Sequence, residues 1–328
     1  MARSSAPEPV TEVINLASAW LPARMAEVER RLEAQVEGWG ELAPDATATL
    51  AAGGKRMRPL LVLLCAGPGG GRDAIRAATA IELVHMATLV HDDILDAAPL
   101  RRGLPTVVAR SGRRRAVATG DLLFSRAFAE LGSAGPEDGA NRQVELLARA
   151  SVTLARGELA QRADAHDTRV SAERYLLRCQ LKTASLFECA CIIGAARPPE
   201  EEAALLAFGS EIGLAFQLLD DVLDVLGPPE RTGKARGTDL LDGTVTLPFI
   251  EARERDPGLT DLDLRSLLVD EAGVVCDRIA ATGAPERVRA AARERVTAAK
   301  RGLRTAGLPA SELKLLELVA DGVVERYS

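Results

Sequence analysis

The stretch "RDAIRAATAIELVHMATLVHDDILD", residues 72–96, decides the fold. Neither glycine nor proline interrupts it, and alanine or larger apolar residues fill every turn. It is far too long for a strand, so it reads as one largely buried helix. It ends in acid, with Asp92, Asp93 and Asp96 inside little more than one turn. Residues four apart lie only about 40° from each other around a helix axis, so Asp92 and Asp96 share a face and Asp93 sits at its edge. Carboxylates crowded at a buried helix end are costly unless cations neutralise them. The pattern "DDILD" at 92–96 returns as "DDVLD" at 220–224, closing a second apolar segment, "EEEAALLAFGSEIGLAFQLLDDVLDVL" (200–226). There Leu205, Phe208, Ile212, Phe216, Leu219 and Leu223 recur near helical spacing. A single acidic cluster is equally well explained as a solvated helix end. Two such clusters on two apolar helices, formed by Asp92, Asp93, Asp96, Asp220, Asp221 and Asp224, point to divalent metal. Oxygen-only ligands suit Mg²⁺, which prefers carboxylates plus substrate phosphates to an all-protein cage.

The rest of the 328-residue chain fits an all-α fold. Short Gly/Pro punctuation separates long Ala/Leu/Arg/Glu segments, no βαβ rhythm occurs, and no linker of disordered composition divides the chain. The expectation is one helical domain of roughly ten helices over residues 11–328, with residues 1–10 a frayed tail. Composition is ordinary for a globular protein, at 47% hydrophobic and 27% charged. A net charge of −6 gives no ground for a nucleic-acid partner. "MARSSAPEPV" lacks the apolar core of a signal peptide, and the run "LLVLLCA" from Leu60 is far short of a membrane span, so a cytoplasmic protein without a transmembrane segment is expected. Five cysteines without a CxxC pair read as reduced core residues. Aromatic content is only 3%, so any cavity must be lined mainly by Ala, Leu and Val.

Cations accompany the acidic motifs. "GGKRMRP" (53–59) carries Lys55, Arg56 and Arg58, Arg101 and Arg102 follow the first motif, and Lys182 and Lys234 lie further on. Phosphate ligands would use both sets, since guanidinium forks grip oxygens that Mg²⁺ bridges. "RRR" at 113–115 reads as solvated surface, and no P-loop pattern is present.

The sequence resembles the trans-polyprenyl diphosphate synthases, head-to-tail prenyltransferases of the all-α isoprenoid synthase fold. The resemblance rests on "GGKRMRP", on "ELVHMATLVHDDILDAAPLRRGLPT" (82–106), on "ATGDLLFSRAF" (118–128), on "LKTASLF" (181–187), on "AFQLLDDVLD" (215–224) and on "GKARGTDLLDGTVTLP" (233–248). It implies a helical bundle around a central cavity. Asp92, Asp96 and Asp220 would coordinate Mg²⁺, three ions in all with Mn²⁺ able to substitute, while Asp93, Asp221 and Asp224 would support them. Arg101, Lys182, Thr183, Gln217 and Lys234 would hold or orient an allylic diphosphate. Lys55, Arg58, His85 and Arg102 would bind isopentenyl diphosphate. It implies a homodimer as well, and a product passed to a membrane.

One position departs from the family pattern, where a loop lysine is replaced by Thr244, and Arg236 is a candidate substitute. Short-chain members carry bulky residues four and five places before the first aspartate. Here these are Thr88 and Ala87, with Val84 and then Ala80 or Ile81 deeper along the same helix, so a medium- or long-chain all-trans product is expected. A farnesyl or geranylgeranyl product, a class I terpene cyclase and a subunit of a two-component synthase are the alternatives.

Overall fold

The computed structural model describes residues 8–101, 103–133, 140–227 and 236–325. The chain opens with α1 (Glu8–Leu16), α2 (Leu21–Val36), α3 (Ala43–Ala51), α4 (Met57–Ala66) and α5 (Gly71–Leu95). A two-residue antiparallel pair follows, β1 (Leu100–Arg101) with β2 (Leu104–Pro105). Then come α6 (Val107–Ser111), α7 (Arg113–Gly132), α8 (Ala140–Ala163) and α9 (Ala172–Cys179). A π turn (Gln180–Ala184) joins α9 to α10 (Ser185–Ile192), and α11 (Pro199–Leu226) follows. The chain closes with α12 (Thr238–Leu241), α13 (Leu247–Ala252), α14 (Val269–Ala281), α15 (Ala284–Arg304) and α16 (Ala310–Glu325).

The all-α reading holds, with more pieces than the ten expected. The additional ones are short, such as α6 and α12, or arise where Gly283, in the left-handed region at φ 71°, separates α14 from α15. Helix α1 begins at Glu8, so residues 8–10 belong to the fold rather than to a tail, and Val10 packs on Gly322 of α16.

Two long helices organise the core. Along α5, Ala77, Ala78, Ala80, Ile81, Leu83, Val84 and Ala87 are all fully buried, which places apolar atoms on every side, as a central helix requires. It packs chiefly on α4 and α7. Helix α11 packs on α10 and α15 and buries Leu205, Phe208, Ile212 and Leu219. Burying each such side chain contributes about 1.5–3 kcal/mol. By length and composition α11 could cross a membrane, with mean hydropathy 1.3, although half of that window is buried inside the fold. The five cysteines are free and buried.

The triple arginine is only partly surface. Arg115 donates to the buried carboxylate of Asp45 at 2.9 Å, and Arg110 and Ser111 reach the same group. Arg56 of the glycine motif turns inward too, binding Glu29 at 2.7 Å and buried Glu82 at 2.8 Å. It therefore anchors α4 to α2 and α5 and is not presented to a ligand.

Candidate active site

Both acidic motifs occupy the last turns of their helices, α5 and α11. That is the negative end of a helix dipole, so every carboxylate there raises the local demand for cations. Asp92, Asp96 and Asp220 line one cavity of about 250 Å³. Thr88 and His85 line it from one and two turns further down α5, and Arg58 enters from α4. Leu154, Leu186 and Phe216 give it an apolar wall, and Thr244 and Thr246 come from the loop before α13.

The π turn delivers the central cation. Lys182 lies in it, its ammonium 3.9 Å from Asp92 and ion-paired with Glu158 of α8. Such single π turns cluster at functional sites because they redirect side chains within a helix. Helix α8 reaches the turn because residue 157 is glycine. A Cβ there would strike the backbone nitrogen of Lys182 and stand 2.7 Å from its Cα. Burial works against the Lys182 ammonium, but Asp92 and Glu158 outweigh it and hold its pKa above the ordinary lysine value. Burial pushes the Asp92 carboxyl up to about 6, with Lys182 opposing and Glu158 and Asp96 adding to the rise.

Next to Lys182, the Thr183 hydroxyl donates to Gln217 Oε1 at 2.7 Å. Gln217 Nε2 then donates to Asp221 Oδ1 at 2.7 Å, and the Tyr175 hydroxyl donates to Oδ2. Asp221, 2% exposed, is thus fastened on both oxygens, and burial drives its pKa well above the usual carboxylate range. Arg58 stacks on Phe187 with its guanidinium carbon 4.5 Å from the ring centroid, and burial lowers its pKa to about 10.

Several expectations need correction. Asp93 does not face the main cavity. It accepts from Arg101 Nε at 2.8 Å, and the two line a second, mostly apolar cavity of about 290 Å³ that shares Leu89 of α5 with the first. Asp224 turns to the start of α12 and accepts from the backbone of Thr238 and Asp239 at 3.1 and 3.2 Å. Ala87 and Val84 are sealed within the helix packing, so Thr88 alone of the expected chain-length residues reaches the cavity. Lys55 precedes α4 and does not line it. Arg236 donates to the Val225 carbonyl and to Asp277, both at 2.9 Å, and so points away from Thr244. Arg102 and Lys234 lie outside the described residues.

The sequence reading also missed residues. Glu158, Gln161 and Arg162 crowd the site from α8, Tyr175 and Arg178 from α9, and Asp239 and Asp242 from α12 and its C-terminal end. The i,i+4 pair of Glu158 and Arg162 in "GELAQR" was a visible helix-face signal.

Asp92 and Asp96 from α5 and Asp220 from α11 offer only oxygen to one cavity, a donor set that fits Mg²⁺. Among the described residues no three His, Cys, Asp or Glu side chains converge as a ready-made cage. An ion here would complete its shell with substrate oxygens and water.

Residues 41–270 match the polyprenyl synthetase family. The chain belongs to that family. Among its relatives is heptaprenyl diphosphate synthase component 2 of Geobacillus stearothermophilus, 42% identical over 71% of this chain and 74% of that protein. The short chain isoprenyl diphosphate synthase of Methanothermobacter thermautotrophicus is 36% identical over 84% of this chain and 88% of its own. A Caulobacter crescentus polyprenyl synthase, solved with calcium and isoprenyl diphosphate, superposes over the full length of both chains with a TM-score of 0.88 at 33% identity. As a polyprenyl synthetase, this protein is a prenyltransferase of the diphosphate-synthase type.

Proposed function

We propose that this prenyltransferase uses Mg²⁺ to condense isopentenyl diphosphate with an allylic diphosphate, repeating the step to an all-trans product of roughly C30 to C50. The observation that carries the reading is a single cavity bordered by acidic faces of both α5 and α11, with Lys182 beside Asp92 and with Arg58 and His85 on the same lining. One acidic border suits a metal-held allylic diphosphate, and Arg58 with His85 suits the second diphosphate. The metal supplies charge neutralisation of the leaving diphosphate. Lys182 adds a positive charge where negative charge develops, and its pairing with Glu158 keeps it at the site. Thr183 and Gln217 present oxygen dipoles beside the electron-poor allylic carbon. Leu154, Leu186 and Phe216 exclude water that would quench it. The departing diphosphate is the acceptor for the proton released on condensation.

The small side chain of Thr88 on the cavity wall supports a product beyond twenty carbons. Purified protein incubated with Mg²⁺, farnesyl diphosphate and labelled isopentenyl diphosphate, then treated with phosphatase, should yield prenyl alcohols of C30 or more. No extended alcohol, or full turnover in excess EDTA, would overturn the reading. A second reading comes from the relative named as a component 2: extension requires a partner chain, and activity appears only when one is added. We further propose a cytoplasmic homodimer that hands its product to a membrane. Light scattering should give twice the mass of the chain.

A further inference from the structure

Five charged side chains form an unbroken series along the first acidic motif: Asp92, Lys182, Glu158, Arg162 and Asp96. Lys182 lies 3.9 Å from Asp92 and is paired with Glu158. Arg162 Nε is 2.8 Å from Glu158 one helical turn away, while its Nη2 pairs with Asp96. Each of the two metal-facing aspartates of α5 is therefore met by one cation, and both cations are tethered to the same carboxylate. All five side chains are partly buried, between 14% and 31% exposed, so the pairings are only weakly screened by solvent.

A side-chain cation paired with a carboxylate and a divalent ion bound to that carboxylate repel one another, so the two compete for it. We propose that Lys182 and Arg162 are place-holding cations. They neutralise Asp92 and Asp96 in the metal-free protein. With a divalent ion held by these aspartates, both cations would turn toward the diphosphate, with Glu158 as the pivot that keeps them within reach. Arg162 is thereby a positioning residue for the allylic diphosphate. It supplies a cation near the loop where Thr244, which Gln161 reaches at 3.4 Å, carries none. The inference rests on the metal-dependent reading above.

The test is a Mn²⁺ titration followed by electron paramagnetic resonance, on the full chain, with and without inorganic diphosphate. Arg162→Gln removes a competitor, so without diphosphate it should bind Mn²⁺ at least ~5-fold more tightly than the parent, the lower end of ordinary coupling between two sites. The same variant, loaded with Mn²⁺, should bind inorganic diphosphate at least ~5-fold more weakly. Glu158→Gln should weaken Mn²⁺ binding, because both cations then rest on the aspartates alone. Arg162→Lys should return Mn²⁺ affinity to near the parent value. Arg162→Met serves as a second neutral variant if the glutamine form folds poorly. A role confined to holding α8 would move melting temperature and neither affinity, and that result overturns the proposal. If the parent protein binds no Mn²⁺ with or without diphosphate, the metal reading itself fails. If it binds Mn²⁺ and the Arg162 variants match it, only the displacement idea fails.

Discussion

Thr183 and Gln217 are joined hydroxyl to amide oxygen at 2.7 Å, and the same amide donates onward to Asp221. The link fixes which end of Gln217 faces Thr183 and makes Asp221 dependent on donors from two elements, Gln217 on α11 and Tyr175 on α9. A buried carboxylate that loses one donor exacts about 1–3 kcal/mol. Tyr175→Phe should therefore lower the unfolding free energy by that amount, read from urea midpoints in metal-free buffer. An unchanged midpoint would show that the phenol does not support Asp221.

Asp92 should weaken the metal-free fold. Its carboxyl is raised to about 6, first by burial, from an ordinary value of 3.8. The protonated form is thus favoured by folding. Its contribution is full below about pH 4 and disappears as pH rises through 6, a swing of about 3 kcal/mol. Asp92→Asn carries no such penalty. In EDTA at about pH 8 the variant should melt above the parent, the difference should vanish near pH 4, and turnover should fall by at least ~10²-fold. A variant that melts lower at pH 8 would contradict this.

Thr244 lines the cavity, whereas Arg236 is held at Val225 and Asp277. One charged hydrogen bond contributes about 1.5–3 kcal/mol, so Thr244→Lys should improve kcat/KM for the allylic substrate by ~10-fold. Arg236→Ala should leave that ratio within about twofold, which steady-state kinetics can measure. A collapse on Arg236→Ala would revive it as the substitute cation.

Product length should answer to Thr88 more directly than to Ala87. Thr88 faces the cavity, while Ala87 is fully buried in helix packing. Thr88→Phe should shorten the product to C15 or C20 by mass spectrometry, with the first condensation intact. Ala87→Phe must overpack the core, at about 1–3 kcal/mol, before it can reach a growing chain. Unshortened product from Thr88→Phe would move the floor elsewhere.

Periodicity made the helices legible, and the repeated acidic pattern located the cavity before any geometry. What stayed hidden was the direction of individual side chains. Asp92 and Asp93 are neighbours in sequence yet open on different cavities, and spacing alone could not say that Arg101 would claim Asp93. Glu158 and Arg162 escaped because an i,i+4 acid–base pair on a helix usually signifies a solvated face. Only the close approach of α8 at Gly157 gives that pair its place.

The π turn at Gln180–Ala184 can be regarded as the trace of an insertion. One extra residue in a helix turns everything beyond it by about 100° while leaving the axis in place. Deleting a single codon here would restore regular α geometry and leave the composition of the helix nearly unchanged. It would also rotate α10 against α9, so that Phe187, on which Arg58 rests, and Tyr175, which grips Asp221, could no longer both meet their partners. The reading frame of the helix is therefore itself part of the machinery, and one-residue deletions in this segment should be far less tolerated than most substitutions.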